Sequence, residues 1–367
     1  MKILILAQTP PPSHGQSLMQ QHLVNARWNW CDKRFIRLSY SKSINEVGIF
    51  SFKKIVILFK IIFKVWIEGI KGKIDILYYP PSGNNKIAFY RDVLTLVLIR
   101  WRTKKIIFQF HSGGFDNLIN RLNTIEKLIA IKIYKHPDAA IVVAENLKSE
   151  VSWISPKKIF VIPNGVFDNS NRKTSERNTN LINILSIGIL SESKGIFVAL
   201  DAAKILKEKN YVFNWSFIGS WKSKKDKNKF TIKISEFNLK NFVHISKQVE
   251  GDLRWQFYSY SDIFCFPTYY ENEAMPLVIL EAMMMSLPII STEWRGIPDI
   301  IDDNENGILL PIKDPNKLAE AIERLINNAV LRKKFSINAR KKYLSEFTIE
   351  RHLKRMEEAF KDVAYNN

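Results

Sequence analysis

The chain has 367 residues, 46% of them hydrophobic and 25% charged, a globular composition that excludes an extended disordered polymer. At roughly 150 residues per domain, the length suggests two domains, each large enough to bury a core. The net charge of +19 is lopsided: residues 1–180 carry 28 basic and 12 acidic side chains, residues 181–367 carry 27 and 24, so the first half is expected to meet an anionic partner.

Apolar runs alternate with helical patterns from end to end. In the first half strands are expected at 2–7, 34–39, 74–79, 105–110, 138–143 and 159–163. Several are apolar throughout, as in parallel strands covered on both faces. The opening run, Ile3 to Ala7, is too short for a signal peptide and is ended by prolines 10–12. Residues 52–73 place Lys53, Lys60, Lys64, Glu68 and Lys71 on a narrow stripe among Phe52, Phe59, Phe63 and Trp66. Two arrangements fit this pattern: an amphipathic helix lying on an anionic membrane surface, or a helix packed on the sheet with a thin solvated edge. Residues 89–105 end in a second basic cluster that includes Arg100 and Arg102. No segment reaches the roughly 18 uninterrupted apolar residues of a membrane span.

Residues 168–180 are polar and aperiodic and read as a linker. The alternation then restarts, with strands expected at 183–188, 213–218, 262–266, 288–291 and 308–311. Helices are expected at 196–209, 276–286 and 315–328. A last helix near 349–363 either ends the second domain or crosses back to the first. Two successive βαβ series imply an α/β protein of two doubly wound, Rossmann-like domains, 1–167 and 181–346, facing a common cleft, with 347–367 as the C-terminal helix. The cysteines, Cys31 and Cys265, lie far apart without a CxxC pair, which argues against a disulfide framework and suits a reducing cytoplasm.

The densest chemical signal is residues 267–299. Glu273 and Glu281 stand eight positions apart, with Met275, Pro276 and Leu277 between them. Pro276 suits the first turn of a helix, which places Glu273 in the preceding loop and Glu281 about one and a half turns inside. Carboxylates at such a place accept hydrogen bonds from sugar or ribose hydroxyls; an acid complementing the helix dipole plus a surface glutamate is the plainer alternative. In Leu185–Gly195 a strand, a turn containing Gly188, and Lys194 precede a helix. A cation there holds a pyrophosphate or sits in a solvated turn. Gly15 follows the first strand, at the carboxyl end of a parallel sheet where such folds bind ligands, or marks a simple turn, with His14 beside it expected to be exposed. His111, before Gly113-Gly114, follows strand 105–110, as a structural histidine or a site residue.

The acidic loop, the Glu-X7-Glu spacing, the apolar strand and the turn Gly296-Ile297-Pro298, together with 185–195, resemble the retaining glycosyltransferases of family 4. The resemblance implies the two-domain fold called GT-B. It implies a hexosyl- or N-acetylhexosaminyltransferase that takes its sugar from a nucleotide-diphosphate sugar. The acceptor would be a glycan or a polyprenyl-linked glycan in bacterial surface-polysaccharide assembly. By the same resemblance Glu273 binds the donor sugar, Glu281 the ribose, Lys194 the diphosphate, and His111 lies near the sugar. Gly15, Gly188, Met275, Pro276 and Leu277 belong to the donor-binding loops. The chain departs from the pattern at Ile189, where the family has an arginine. Neither metal nor cofactor is expected: the departing diphosphate takes the acceptor proton, and Lys194 with helix N-termini balances its charge. Lys53, Lys60, Lys64, Arg100 and Arg102 would face the inner leaflet of the cytoplasmic membrane. A nucleotide-sugar epimerase or phosphorylase of the same fold, or a non-catalytic membrane-binding relative, is the alternative. No nucleic-acid motif accompanies the charge, and no nucleic acid is expected as a partner.

Overall fold

The structure, a computed structural model, describes residues 1–40, 51–83, 85–172 and 181–366. The chain divides into two compact units, one formed by Met1–Asn164 with Ile349–Asn367, the other by Gly165–Thr348. In chain order the first unit begins with β1 (Lys2–Ala7), α1 (Gly15–Asn25), β2 (Asp32–Arg37), α2 (Phe52–Lys71), β3 (Ile74–Tyr79) and α3 (Lys86–Ile99). It continues with β4 (Thr103–Phe110), α4 (Phe115–Asn120), α5 (Thr124–Tyr134), β5 (Ala139–Val142), α6 (Lys148–Val151) and β6 (Ile159–Val161). The second unit holds β7 (Ile182–Ile187), α7 (Ile196–Glu208), β8 (Phe213–Ile218), α8 (Lys224–Glu236), β9 (Val243–Ser246), α9 (Gly251–Ser259) and β10 (Ile263–Phe266). Then follow α10 (Leu277–Met284), β11 (Ile289–Thr292), β12 (Gly307–Leu310), α11 (Pro315–Asn327) and α12 (Ala329–Glu346); α13 (Ile349–Tyr365) belongs to the first unit.

The first sheet is parallel, ordered β2-β1-β3-β4-β5-β6. Its central strands are apolar on both faces because both are covered. Ile3, Ile5, Ile76, Tyr78 and Ile141 pack with Leu23 of α1 and with Met356, Phe360 and Val363 of α13. The opposite layer contains α2, α3 and α5, which neighbour one another in that order. Asp92, wholly buried in α3, accepts hydrogen bonds from Tyr79 Oη (2.7 Å) and from Ser82 N and Oγ (2.7 and 2.5 Å). α2 packs inward through one face, as the packed arrangement expected for 52–73 requires. Leu58, Ile61, Ile62 and Val65 are buried, while Phe52, Val56, Phe59, Phe63 and Ile70 remain exposed.

The second sheet is also parallel, ordered β12-β11-β10-β7-β8-β9. The order reverses between β7 and β10, and in open α/β sheets ligands bind beyond the carboxyl ends of strands at such a switch. Its core is aromatic, with Trp215, Phe217 and Phe230 packed on Ile196, Leu200 and Ala203 of α7.

Strand ends differ from the expected ones by a residue or two. β9 was not expected: it has four residues, and only its first is buried. The units part at Asn164–Gly165, so 168–172, expected to begin the linker, belong to the second unit. There Arg340 donates to both carboxylate oxygens of Asp168 (3.1 and 2.5 Å) and holds its pKa down at about 2. The rest of that expected linker, 173–180, lies outside the described residues.

Candidate functional site

The chain leaves β7 through Gly188 and Ile189, makes a 3-10 turn at Glu192–Lys194 and enters α7 at Gly195. Gly195 has φ +78°, and a Cβ there would lie 2.0 Å from the Pro267 carbonyl oxygen. Only glycine brings the start of α7 this close to the end of β10. The result is a small pocket lined by Gly188, Ile189, Lys194, Gly195, Phe217 and Phe266 among others. Lys194 Nζ lies 2.5 Å from Glu273 Oε2, which also accepts from Thr268 Oγ1 at 3.1 Å. Both side chains of the pair are largely buried, and the ammonium is 4.8 Å from the Tyr270 ring centroid and 5.1 Å from that of Phe266. Glu273 therefore belongs to the β10–α10 loop and is fixed by the β7–α7 turn. Met275 and Pro276 are buried behind it, and Leu277 opens α10 half-buried. Pro276 is the N-cap, one position before the first turn where the sequence suggested it.

Glu281, on α10, is held from α9. Its Oε2 accepts from the Arg254 guanidinium and from Tyr258 Oη, the latter at 2.7 Å. Burial works against the Arg254 charge, but Tyr258 and Glu281 outweigh it and hold the guanidinium above its ordinary range. Burial, helped by Glu281, holds the Tyr258 phenol far above its own. One carboxylate oxygen, Oε2, is thus anchored by both side chains. Arg254, Tyr258 and Thr268 were not anticipated from the sequence. Arg254 and Tyr258 share a face of α9 at i, i+4, but nothing in that spacing points to a glutamate on another helix.

In the first unit, His111 follows β4, where it was expected. Tyr78 Oη donates to Gln109 Oε1 (2.6 Å) and lies 3.3 Å from His111 Nε2. Since the phenol proton is committed to Gln109, Nε2 carries the imidazole proton and Nδ1 is the bare acceptor. Nδ1 is buried without a hydrogen-bond partner among the described residues. Burial, with smaller contributions from His352 and His14, pushes the His111 pKa down to about 3, so the ring is neutral at ordinary pH. It can accept from a hydroxyl and cannot supply a positive charge. Gly15 is the exposed first residue of α1. His14, expected to be exposed, is the half-buried N-cap of that helix, with Nδ1 accepting from Ser17 N and Ser17 Oγ accepting from His14 N.

Of the five basic residues assigned to a membrane surface, Lys53, Lys60 and Lys64 are exposed on α2 and form no ion pair among the described residues. Arg100 is otherwise occupied: its guanidinium donates to the carbonyls of Ile133, Lys135 and His136, at and just beyond the C-terminal end of α5. Arg102 lies over the rings of Trp101 and Trp66 (4.2 and 5.8 Å). Arg100 thus ties the end of α3 to α5, and Arg102 reaches Trp66 of α2. No helix among the described residues is long and apolar enough to cross a membrane. Among the same residues no group of three or more His, Cys, Asp or Glu side chains is placed to hold a metal ion.

Residues 167–342 match the family model described as glycosyl transferases group 1. The amylovoran biosynthesis glycosyltransferase AmsK of Erwinia amylovora is 30% identical over 148 residues, 39% of this chain and 36% of that protein. The capsular polysaccharide biosynthesis glycosyltransferase CapM of Staphylococcus aureus is 28% identical over 225 residues, 57% of each. The chain thus spans between about a third and somewhat over half the length of these curated relatives. HepE of Anabaena, solved with UDP, superposes with a TM-score of 0.75 at 15% identity over 99% of this chain and 100% of that one; HepE has also been solved with UDP-glucose. At that identity the likeness speaks for the fold alone, which is GT-B. The protein is therefore a GT-B protein whose second unit matches glycosyl transferases group 1 and whose relatives are named for polysaccharide biosynthesis.

Proposed function

We propose that the protein is a retaining glycosyltransferase that moves a hexosyl or N-acetylhexosaminyl group from a nucleotide-diphosphate sugar to a glycan or polyprenyl-linked glycan during surface-polysaccharide assembly. The observation that carries this reading is the joining of Lys194 to Glu273 at the mouths of β7 and β10, with Glu281 anchored on α10 in the same unit. In this reading Glu273 and Thr268 orient the sugar, Oε1 of Glu281 accepts from the ribose, and Lys194 balances the diphosphate as its bond to the sugar breaks. Glu273 is tied to a lysine and a threonine, a poor arrangement for a base that must take a proton. Retention follows if the leaving diphosphate itself accepts the acceptor's proton on the face it departs from. No metal is required in this scheme. The bare Nδ1 of His111 would accept from a sugar hydroxyl. HepE, solved with UDP and with UDP-glucose, makes a uridine diphosphate sugar the first donor to try.

The acceptor side of this reading uses the first unit. α2 exposes Phe52, Val56, Phe59, Phe63 and Ile70 beside Lys53, Lys60 and Lys64. Val97 of α3, Trp101 after it, and Ile125 and Leu128 of α5 are exposed on the same helix layer. Apolar area rimmed by lysines fits the inner face of an anionic membrane, where polyprenyl-linked acceptors reside.

The test is a thermal-shift panel of UDP, GDP, ADP and CMP with their sugars, on the wild type and Glu281→Ala. A rise in melting temperature with one base only, abolished by Glu281→Ala, is expected. No shift with any of them would overturn the donor site.

A further inference from the structure

A nucleoside diphosphate brings several negative charges, yet Lys194 meets them already balanced by Glu273. Taken as a unit, that pair is neutral. Ile189, which also lines the pocket and is 42% exposed, adds no charge from the same turn. An anion of this kind needs a cation that no carboxylate has claimed.

Lys222 is such a cation. It lies between β8 and α8, directly before Ser223, the N-cap of α8. Leu190 N–H donates to the Ser220 carbonyl (2.8 Å) and Lys222 N–H donates to the Leu190 carbonyl (3.0 Å). These two bonds lay the stretch after β8 along the turn that carries Ile189. Gly219 permits the approach: its φ is +154°, and a Cβ there would fall 1.7 Å from the Gly188 carbonyl oxygen. The Lys222 ammonium stands 5.6 Å from the Tyr270 ring centroid, the same ring that Lys194 approaches to 4.8 Å. Lys222 is exposed and has no carboxylate partner among the described residues. Of the two ammonium groups at this ring, Lys194 is paired with Glu273 and Lys222 forms no ion pair among the described residues.

We propose that Lys222 is a second phosphate-binding residue of the donor site, supplying from the β8–α8 connection the charge that Ile189 does not. This rests on the donor reading above, and it adds a residue that the Glu-X7-Glu pattern does not contain. Ligand electrostatics then sets what each variant does. Lys222 contributes to phosphate binding and nothing to base or ribose recognition. Arginine at the same place retains the charge, whereas glutamine does not.

Calorimetric titration of the full chain with UDP, GDP and ADP, and with the matching nucleosides, tests this. For whichever diphosphate binds the wild type, Lys222→Gln is expected to weaken it roughly fivefold to tenfold and to leave the nucleoside unchanged. Lys222→Arg is expected to restore most of the loss, and added salt to narrow the gap between wild type and Lys222→Gln. An unaltered diphosphate affinity in Lys222→Gln, or an equal loss for the nucleoside, overturns the role of Lys222 while leaving the donor site standing. A wild type that binds none of the three diphosphates overturns the donor reading, and the Lys222 assignment with it. Lys222 is exposed, so its variants are expected to melt as the wild type does, and the melting temperature serves as the folding control.

Discussion

Removing either partner of the Lys194–Glu273 pair has two effects that a turnover assay alone would blend. In the proposed donor site each loss strips a contact from the donor, so Lys194→Ala and Glu273→Gln are each expected to lower turnover by more than about tenfold. Lys194→Ala also leaves a buried carboxylate with Thr268 as its remaining hydrogen-bond donor, which costs roughly 3 kcal/mol of stability at the low end for a broken buried pair. A Lys194→Ala/Glu273→Ala double variant removes the orphaned charge and is expected to regain part of that stability without regaining activity. Denaturant titration beside turnover separates the two; near-normal rates in both single variants would place the donor elsewhere. Each partner stood out in the sequence as a separate candidate, Lys194 for an anion and Glu273 for a sugar, but their pairing shows only in the structure. The anchoring of Glu281 was not legible there, since Arg254 and Tyr258 lie 27 and 23 positions before it on another helix. Nor was the tautomer of His111, which depends on a phenol proton given to Gln109.

At the scale of elements, α2 shows what periodicity can and cannot say. Its sequence is apolar nearly all round, which fits a helix buried on one face whatever lies on the other. The packing decides: Leu58, Ile61, Ile62 and Val65 take the buried side and the phenylalanines are left outside. The basic cluster at its neighbour makes contacts that its sequence does not show. Arg100 and Arg102 look like surface charge in sequence, but one caps α5 and the other stacks on tryptophans. The two sets should separate in a flotation assay with anionic vesicles. Changing Lys53, Lys60 and Lys64 together to Gln removes attraction of ~1 kcal/mol each and is expected to cut the bound fraction steeply. Phe59→Ser with Phe63→Ser is expected to do so even on vesicles that the lysines still reach. Arg100→Gln is expected to lower the melting temperature and leave partitioning intact. Equal flotation of the triple-lysine variant and the wild type would remove α2 from the membrane contact.

Over the whole molecule, the sequence conveys the two βαβ series and nearly every strand, because parallel strands covered on both faces must be apolar throughout. What it leaves open is the allegiance of the last helix, since an amphipathic stripe does not say which sheet it covers. Met356, Phe360 and Val363 settle it by packing on the first sheet, so that unit is closed by residues from both ends of the chain. This closure brings an acid sensitivity. His352 of α13, 2% exposed, shares a 2.6 Å hydrogen bond with the Pro163 carbonyl, and burial pushes its pKa down to about 4. His14, His22 and His111, in the same unit, are also held below their ordinary value by burial first of all. A histidine with a depressed folded-state pKa binds its proton first in the unfolded chain. Its stabilising effect is therefore complete above about pH 6.5 and is lost as the pH falls from there towards the folded value. Between pH 7 and pH 5, His352 alone is expected to remove roughly 2 kcal/mol from the first unit. Asp168, in the second unit, has its pKa lowered to about 2, so its contribution persists until the pH drops below the ordinary carboxylate range. Urea unfolding followed at pH 7 and pH 5 is expected to split into two transitions at the lower pH, the earlier one belonging to the first unit. His352→Gln keeps a side-chain donor for Pro163 without a titrating group, and its early transition is expected to shift less with acid. Parallel shifts in wild type and variant would show that the proton is taken up elsewhere.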